Sequence, residues 1–396
     1  MLKFTSVPVL MRLSVGLLIC SVANGDQPFD LNTAYRLAEA AKCSYYTAGF
    51  LKSEMSVTAC LRAVKGDPEL TAVTDQDVYS WSEGQDGYIL VNTPSAVILA
   101  LRGTLPPLPY AGADFITLQD WLNDFSAVPD SQGFHRGFRR AWQHIKANVE
   151  QGTAQAFLHA ALKGKAKKKF LVTGHSKGGA MTIIAAVELS MPHGGPLPEP
   201  DGFYAFAAAR PLTAEGAKPY VGQLTKLYRL EYKDDVVPLV PPGAWLRSQP
   251  QVTPLLAKVF AAVHETAYDS SGLGTLYYIS KDNAMNRITD EHAILSARLA
   301  NIASAYSEAL APAEVFRTLV EAKQLPLCLT VENNHTAHVE YLRLKIEGQE
   351  PPPGAFIPSS WDQYCGLETL SRAFINDALH KLSALCVGPC DYLRHH

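Results

Sequence analysis

A serine hydroxyl acts as a nucleophile when it is lifted clear of its chain, relieved of its proton by a histidine and faced by N–H donors. The stretch from Lys169 to Ala180 offers the first of these conditions. An apolar, β-prone run ends in Gly174-His175-Ser176-Lys177-Gly178, and a helical pattern through Ala180, Met181, Ile183, Ile184, Ala185, Val187 and Leu189 follows. Strand, Gly-x-Ser-x-Gly and helix together describe a nucleophile elbow. Glycines two residues to either side of Ser176 let neighbouring backbone pass, and the helix N-terminus favours a developing oxyanion. Ser176 is the candidate nucleophile. In chain order the orienting carboxylate comes next and the histidine last. Asp235 follows the strand candidate Lys226 to Tyr232 and is the expected acid, with Asp234 beside it as the alternative.

These groups need a frame. Asp30 to Ala41 reads as a helix capped by Asp30, and Asp77 to Trp81, Gly87 to Val91 and Ala96 to Leu101 read as strands. Gly133-Phe134-His135-Arg136-Gly137-Phe138 leads into a helix of roughly 25 residues ending near Gly164. Beyond the elbow helix, Phe203 to Ala208, Lys226 to Tyr232 and Thr275 to Ser280 read as strands and Glu291 to Ala305 as a helix. The alternation argues for an α/β sheet with helices on both faces. After Pro312 the pattern changes. Leu327 to Val331 and Val339 to Ile346 look like a hairpin around Glu332-Asn333-Asn334-His335, followed by a helical stretch from Leu367 to Leu385. This region, 312–396, reads as a small α+β appendage to a hydrolase domain over 24–311.

A chain of 396 residues, 47% hydrophobic and 18% charged, can bury a sizeable core. A formal charge of −3 argues against a nucleic-acid partner. Lys3 and Arg12 precede the short apolar run Leu13 to Ala23, with small residues after it, so residues 1–23 read as an export signal. Lipid attachment at Cys20 is the alternative fate of that leader. The expected location is therefore secreted or periplasmic, with no transmembrane segment once the leader is removed. Six of the seven cysteines then remain, an even number that fits disulfides in an exported chain. Cys43 with Cys60 is the expected local bridge. Cys328, Cys365, Cys386 and Cys390 lie in the C-terminal region, and no residue pattern calls for a metal or an organic cofactor.

Five motifs in order resemble those of the class 3 lipase family, the secreted fungal triacylglycerol lipases and their bacterial relatives, over about Phe29 to Ala305. Arg102-Gly103-Thr104 resembles its R-G-[ST], Asp120-Trp121-Leu122-Asn123-Asp124 its D/N-W-x-x-D and Phe134-His135-Arg136-Gly137-Phe138 its V-H-x-G-F. The elbow is the fourth, and Asp235-Val236-Val237-Pro238 with Pro241-Pro242 resembles D-I-V-P-x-x-P-P. The resemblance implies an α/β-hydrolase fold with Ser176 as nucleophile, Asp235 as acid, and Thr104 with the backbone N–H of Lys177 as oxyanion hole. For the base it implies His292, in Asp290-Glu291-His292-Ala293, which resembles the family's D-H-x-x-Y without the tyrosine. His264 is the alternative. His335, His338 and His380 read as surface histidines of the appendage, and His135 and His175 as braces. Lys177 departs from the family's commoner leucine and must point somewhere polar or favour an anionic substrate group.

The resemblance implies a secreted ester hydrolase, foremost a triacylglycerol lipase working at a lipid–water interface. Phospholipase A1 and feruloyl-type esterase are the alternatives on the same scaffold, and an inactive secreted binding protein is the alternative from another class. Leu105 to Leu118, apolar and directly after the oxyanion segment, reads as a lid over the site, with a buried loop held stiff by Pro106, Pro107 and Pro109 as the alternative.

Overall fold

The computed structural model describes residues 29–48, 55–104, 128–163, 167–190, 196–233, 235, 237–250, 266–280, 282–296, 298 and 338–349. The leader, the lid stretch, the Asp120 to Asp124 motif, Asp234, His264, Leu327 to Val331, Leu367 to Leu385 and the four C-terminal cysteines lie outside the described residues.

Seven runs read as strands join an eighth that the sequence did not reveal in one sheet, whose spatial order follows the chain. Its strands are β1 (Val78–Glu83), β2 (Asp86–Asn92), β3 (Ala96–Leu101), β4 (Lys169–His175), β5 (Gly202–Phe206), β6 (Leu227–Tyr232), β7 (Thr275–Ile279) and β8 (Met285–Ile288). From β3 to β7 all neighbours are parallel, while β1, β2 and β8 add antiparallel edges. Parallel neighbours need crossovers, and crossovers cover both faces of the sheet. The near-continuous apolar run of β3 is sorted accordingly. Val97, Leu99 and Leu101 join one core, and Ala96, Ile98 and Ala100 join the other.

The first core is closed by α3 (Arg136–Val149), α4 (Gly152–Leu162) and the elbow helix α5 (Lys177–Leu189), through Phe138, Trp142, Leu158 and Ile183 among others. The second is closed by α1 (Leu31–Cys43), α2 (Val57–Arg62) and α6 (His338–Ile346), which contribute Tyr35, Leu61, Tyr341 and Leu342. As expected, the Asp30 carboxylate accepts the Thr33 N–H at 2.9 Å and starts α1, and Cys43 is bonded to Cys60.

Two expectations are corrected. The helix of roughly 25 residues is two helices, α3 and α4, because the chain turns through Gly152 at φ +57°, a conformation that favours glycine. Val339 to Ile346 is the body of α6, not the second strand of a hairpin. Helical spacing brings Glu340 and Glu347 to Arg343 as i,i+3 and i,i+4 ion pairs. It also buries Tyr341 and Leu342 against α1 and β6, an anchorage that overrides the β-prone residue types.

The elbow depends on missing side chains. A Cβ on Gly178 would stand 2.2 Å from the Leu101 carbonyl oxygen, and one on Gly174 would stand 2.2 Å from the Gly178 oxygen. Both obstacles are backbone, so neither can swing aside. We expect Gly178→Ala to lower stability by more than about 2 kcal/mol in urea titration. Gly222→Ala, at φ +72° in open space, is expected to lose about 1 kcal/mol through its backbone conformation alone. Equal losses would show that the close approach of α5 to β3 carries no cost. Replacing Cys43 and Cys60 by alanine together, which opens a link spanning 17 positions, is expected to remove about 3 kcal/mol by the same titration.

Candidate active site

Three successive parallel strands end alike. β4, β5 and β6 are each followed by a non-glycine residue at positive φ: Ser176 at 61°, Ala207 at 47° and Lys233 at 42°. Such residues persist only where their surroundings over-determine them. Here each keeps its amide in the ladder. Ser176 N–H donates to Phe206 O at 3.0 Å, Ala207 to Leu230 O at 2.9 Å and Lys233 to Ile279 O at 2.7 Å. The C-terminal edge of the sheet is therefore a row of enforced turns, with half-buried Ser176 heading α5 at ψ −124°.

Arg102-Gly103-Thr104 leaves β3 beside this turn. Gly103 presses on the elbow, since a Cβ there would lie 2.6 Å from His175 O. Arg102 is fully buried and fixed by Thr47 Oγ1 at 3.1 Å and Ser82 Oγ at 2.9 Å. Thr104, half-buried, lies three residues beyond the end of β3. The Lys177 side chain is buried and runs under the β1–β2 turn, where Nζ donates to Gln85 O at 3.3 Å and lies 3.8 Å from the Asp86 carboxylate. Its ammonium faces this polar pocket inside the protein. His175 Nδ1 is 3.0 Å from the Tyr45 hydroxyl, and His135 caps α3 by accepting the Phe138 N–H at 3.3 Å. Both act as braces.

Asp235 is fully buried just past β6. Its N–H donates to Tyr232 O at 3.0 Å, its Oδ1 accepts the Val237 N–H at 3.0 Å, and its carbonyl accepts from Arg298. Beneath it, β6 turns Arg229 and Glu231 toward the helical residues 291–296 and 298. Arg229 pairs with Glu291, and Arg298 pairs with Glu231 at 3.0 Å. Burial pushes the Glu231 carboxyl up, against the pull of Arg298 and Arg229.

His292 is not brought to this edge. Its neighbour Glu291 accepts the Gly272 N–H at 3.1 Å, and Gly272 lies just before β7 begins, at the N-terminal ends of the parallel strands. The helix then rises toward Asp235, so its first turn is the far end. The exposed His292 instead faces Asp269. Burial pushes that carboxyl up, but hydrogen bonds from Ser271 and the charges of Arg210 and His292 outweigh it and hold it below its usual value. Among the described residues, the His292 ring has no hydrogen bond to Asp235 or Ser176.

The histidine that opens a helix at the right edge is His338. One turn into α6, Tyr341 donates to Asn283 O at 2.9 Å in the β7–β8 turn, and its ring packs 5.8 Å from that of Tyr232, the last residue of β6. The sequence reading passed it over because it assigned that stretch to a strand of an appendage. The signal was present: His338-Val339-Glu340-Tyr341 has the His-x-x-Tyr spacing that His292 lacks. Arg229 and Glu231, charges inside a strand otherwise read as buried, were a second unused signal.

Among the described residues, no group of three or more His, Cys, Asp or Glu side chains is placed to hold a metal ion, and no helix is long and apolar enough to cross a membrane. Residues 98–245 match the family model for lipase (class 3). A secreted mono- and diacylglycerol lipase of Fusarium solani is 26% identical over 216 residues, 52% of this chain and 56% of its own length. The chain thus spans little more than half of that relative. Among solved structures, a variant of MDLA from Penicillium cyclopium is 20% identical over 68% of this chain and 89% of its own, with a TM-score of 0.43. Lipase II of Rhizopus niveus is 18% identical over 66% and 85%, with a TM-score of 0.41. The α/β-hydrolase character rests on the chain's own sheet and elbow. From β3 through the elbow to the loop beyond Asp235, the sequence is thus similar to the class 3 lipases.

Proposed function

We propose that this protein is an exported serine hydrolase that cleaves carboxylic esters of acylglycerols. The observation that carries the reading is the enforced turn at Ser176, with buried Asp235 two strands along the same edge. Ser176 attacks the ester carbonyl, a histidine takes its proton, and Asp235 orients that histidine and stabilises its charged form. The Lys177 N–H and Thr104 receive the oxyanion of the tetrahedral intermediate. Expulsion of the alcohol leaves an acyl-enzyme, which water hydrolyses by the same proton route. His338 is the base that the placement of α6 favours, in place of His292. His292 and His264 remain the competitors against which it is measured.

The match to the lipase (class 3) model supports the acylglycerol reading, as does the Fusarium relative, whose name specifies mono- and diacylglycerols. That name favours partial glycerides as a second reading beside triacylglycerol. A hydrolysis profile over triolein emulsion, diolein, monoolein, phosphatidylcholine and a feruloyl ester separates the readings. Dominant cleavage of phospholipid or feruloyl ester would overturn the acylglycerol assignment. Export through residues 1–23 predicts a mature chain beginning near residue 24, read by N-terminal sequencing of the protein recovered outside the cytoplasm.

Ser176→Ala is expected to lower kcat by about 10⁶ and to abolish labelling by a fluorophosphonate. Asp235→Asn is expected to cost roughly 10⁴ through the wrong histidine tautomer. His338→Ala should remove acylation while His292→Ala and His264→Ala keep most of it, and the reverse pattern would displace His338. Thr104→Val is expected to lower kcat by about 10²–10³ with KM little changed, because its hydroxyl acts mainly on the transition-state oxyanion. A change confined to KM would remove Thr104 from the oxyanion hole.

A further inference from the structure

Two ion pairs of opposite polarity join β6 to the helical residues 291–296 and 298. The strand offers Arg229 and Glu231, two residues apart and so on one face. The helix offers Glu291 and Arg298, seven apart and so also on one face. Arg229 meets Glu291 and also donates to Leu273 O at 2.9 Å, while Glu231 meets Arg298. Arg298 is 1% exposed, and its guanidinium lies over the Tyr278 ring at 5.5 Å. Its second nitrogen donates to the carbonyl of Asp235. Tyr278 in turn donates to Lys233 O at 3.2 Å, on the strained residue that begins the turn. The Asp235 turn is thus held from below by a group whose own position is set by Glu231.

A buried pair of this kind is a poor source of stability, because desolvation offsets most of its attraction. A hydrophobic pair of the same volume would hold the helix as well. What apolar side chains cannot do is donate to the Asp235 carbonyl. We propose that Glu231 and Arg298 are positioning residues for the acid: Glu231 orients the Arg298 fork, and the fork fixes the Asp235 turn so that its carboxylate meets the histidine in one geometry. The inference rests on the serine-hydrolase reading and deepens it.

The test compares wild type, Ser176→Ala, the double variant Glu231→Gln with Arg298→Gln, and the single variant Arg298→Lys. Each is read by Tm, the rate of labelling by a fluorophosphonate, kcat and KM on a soluble p-nitrophenyl ester, and the pH profile of kcat/KM. The double variant removes both charges together and leaves no buried ion unpaired. We expect its Tm to stay within a few degrees of wild type, its labelling rate to fall at least about 10-fold and its KM to hold. The acidic limb of its pH profile should move to lower pH, because a misplaced Asp235 stabilises the charged histidine less. Should the double variant not fold, Arg298→Lys decides. It keeps the charge opposite Glu231, but an ammonium cannot reproduce the planar fork that spans both partners, so labelling should fall several-fold at unchanged Tm.

A folded double or Arg298→Lys variant with wild-type labelling and an unmoved acidic limb would overturn the proposal while leaving Ser176 in place. Labelling that persists in Ser176→Ala would sink the serine reading, and the role of the pair with it.

Discussion

The approach of one backbone to another sets the terms of this structure. At Gly178 the first turn of α5 touches the Leu101 carbonyl at the end of β3, and at Gly174 the strand touches the helix it feeds. With side chains there, α5 would stand off the sheet and the Ser176 turn would have to open. Because it cannot open, Ser176 keeps a positive φ, the first amides of α5 point past the sheet edge, and Gly103 can lie against His175. The strain is local and its restraint is distributed. The Phe206 carbonyl holds the Ser176 amide, while Tyr45, carried on the turn after α1, reaches His175. A disulfide at the base of that turn ties α1 to α2.

β6 shows a different compromise. Its face toward the second core is apolar or aromatic, with Tyr228, Leu230 and Tyr232, while its other face carries Arg229 and Glu231 in buried positions. A strand in the middle of a parallel sheet ordinarily has no use for charge. Here each charge has an opposite on the facing helix, so the face is neutral in sum and specific in register. Sliding the helix by one turn would take both arginines away from their partners. Register matters at this strand because Asp235 lies three residues beyond its end.

Much of this was legible in the sequence, and the failures share a cause. The elbow, the strands β2 to β7, the cap at Asp30 and the Cys43–Cys60 bridge are local signals: a turn needs its glycines and a helix start its acceptor. The break between α3 and α4 was also local, at Gly152, but a lone glycine inside a helical pattern is ambiguous until its φ is known. The histidine was not local at all. His292 had the better flanking acid, Asp290, yet that carboxylate caps the backbone of its own helix at the N-terminal end of the sheet. Which end a helix starts from depends on the direction of β8, an antiparallel edge strand that sequence reading did not find. α6 was misread because its β-prone residues obey the neighbours they pack on. Lys177 had two readings open, and its burial beside Gln85 and Asp86 placed its ammonium within the protein.

The pairing of α1 with α6 has a bearing on how the chain is made. These helices share one hydrophobic layer over the same face of the sheet, yet roughly 300 positions of sequence separate them, a loop closure of very high contact order. During synthesis, β2 to β7 can assemble with α3 to α5 on one side while part of the opposite side still waits for Tyr341 and Leu342 to emerge. Until then Tyr232 and the α1 surface stay wet and adhesive, a state that invites self-association. The last helix to leave the ribosome among the described elements is also the one that seals the face beneath the Asp235 turn. Completion of the barrier to aggregation and completion of that edge are therefore the same event.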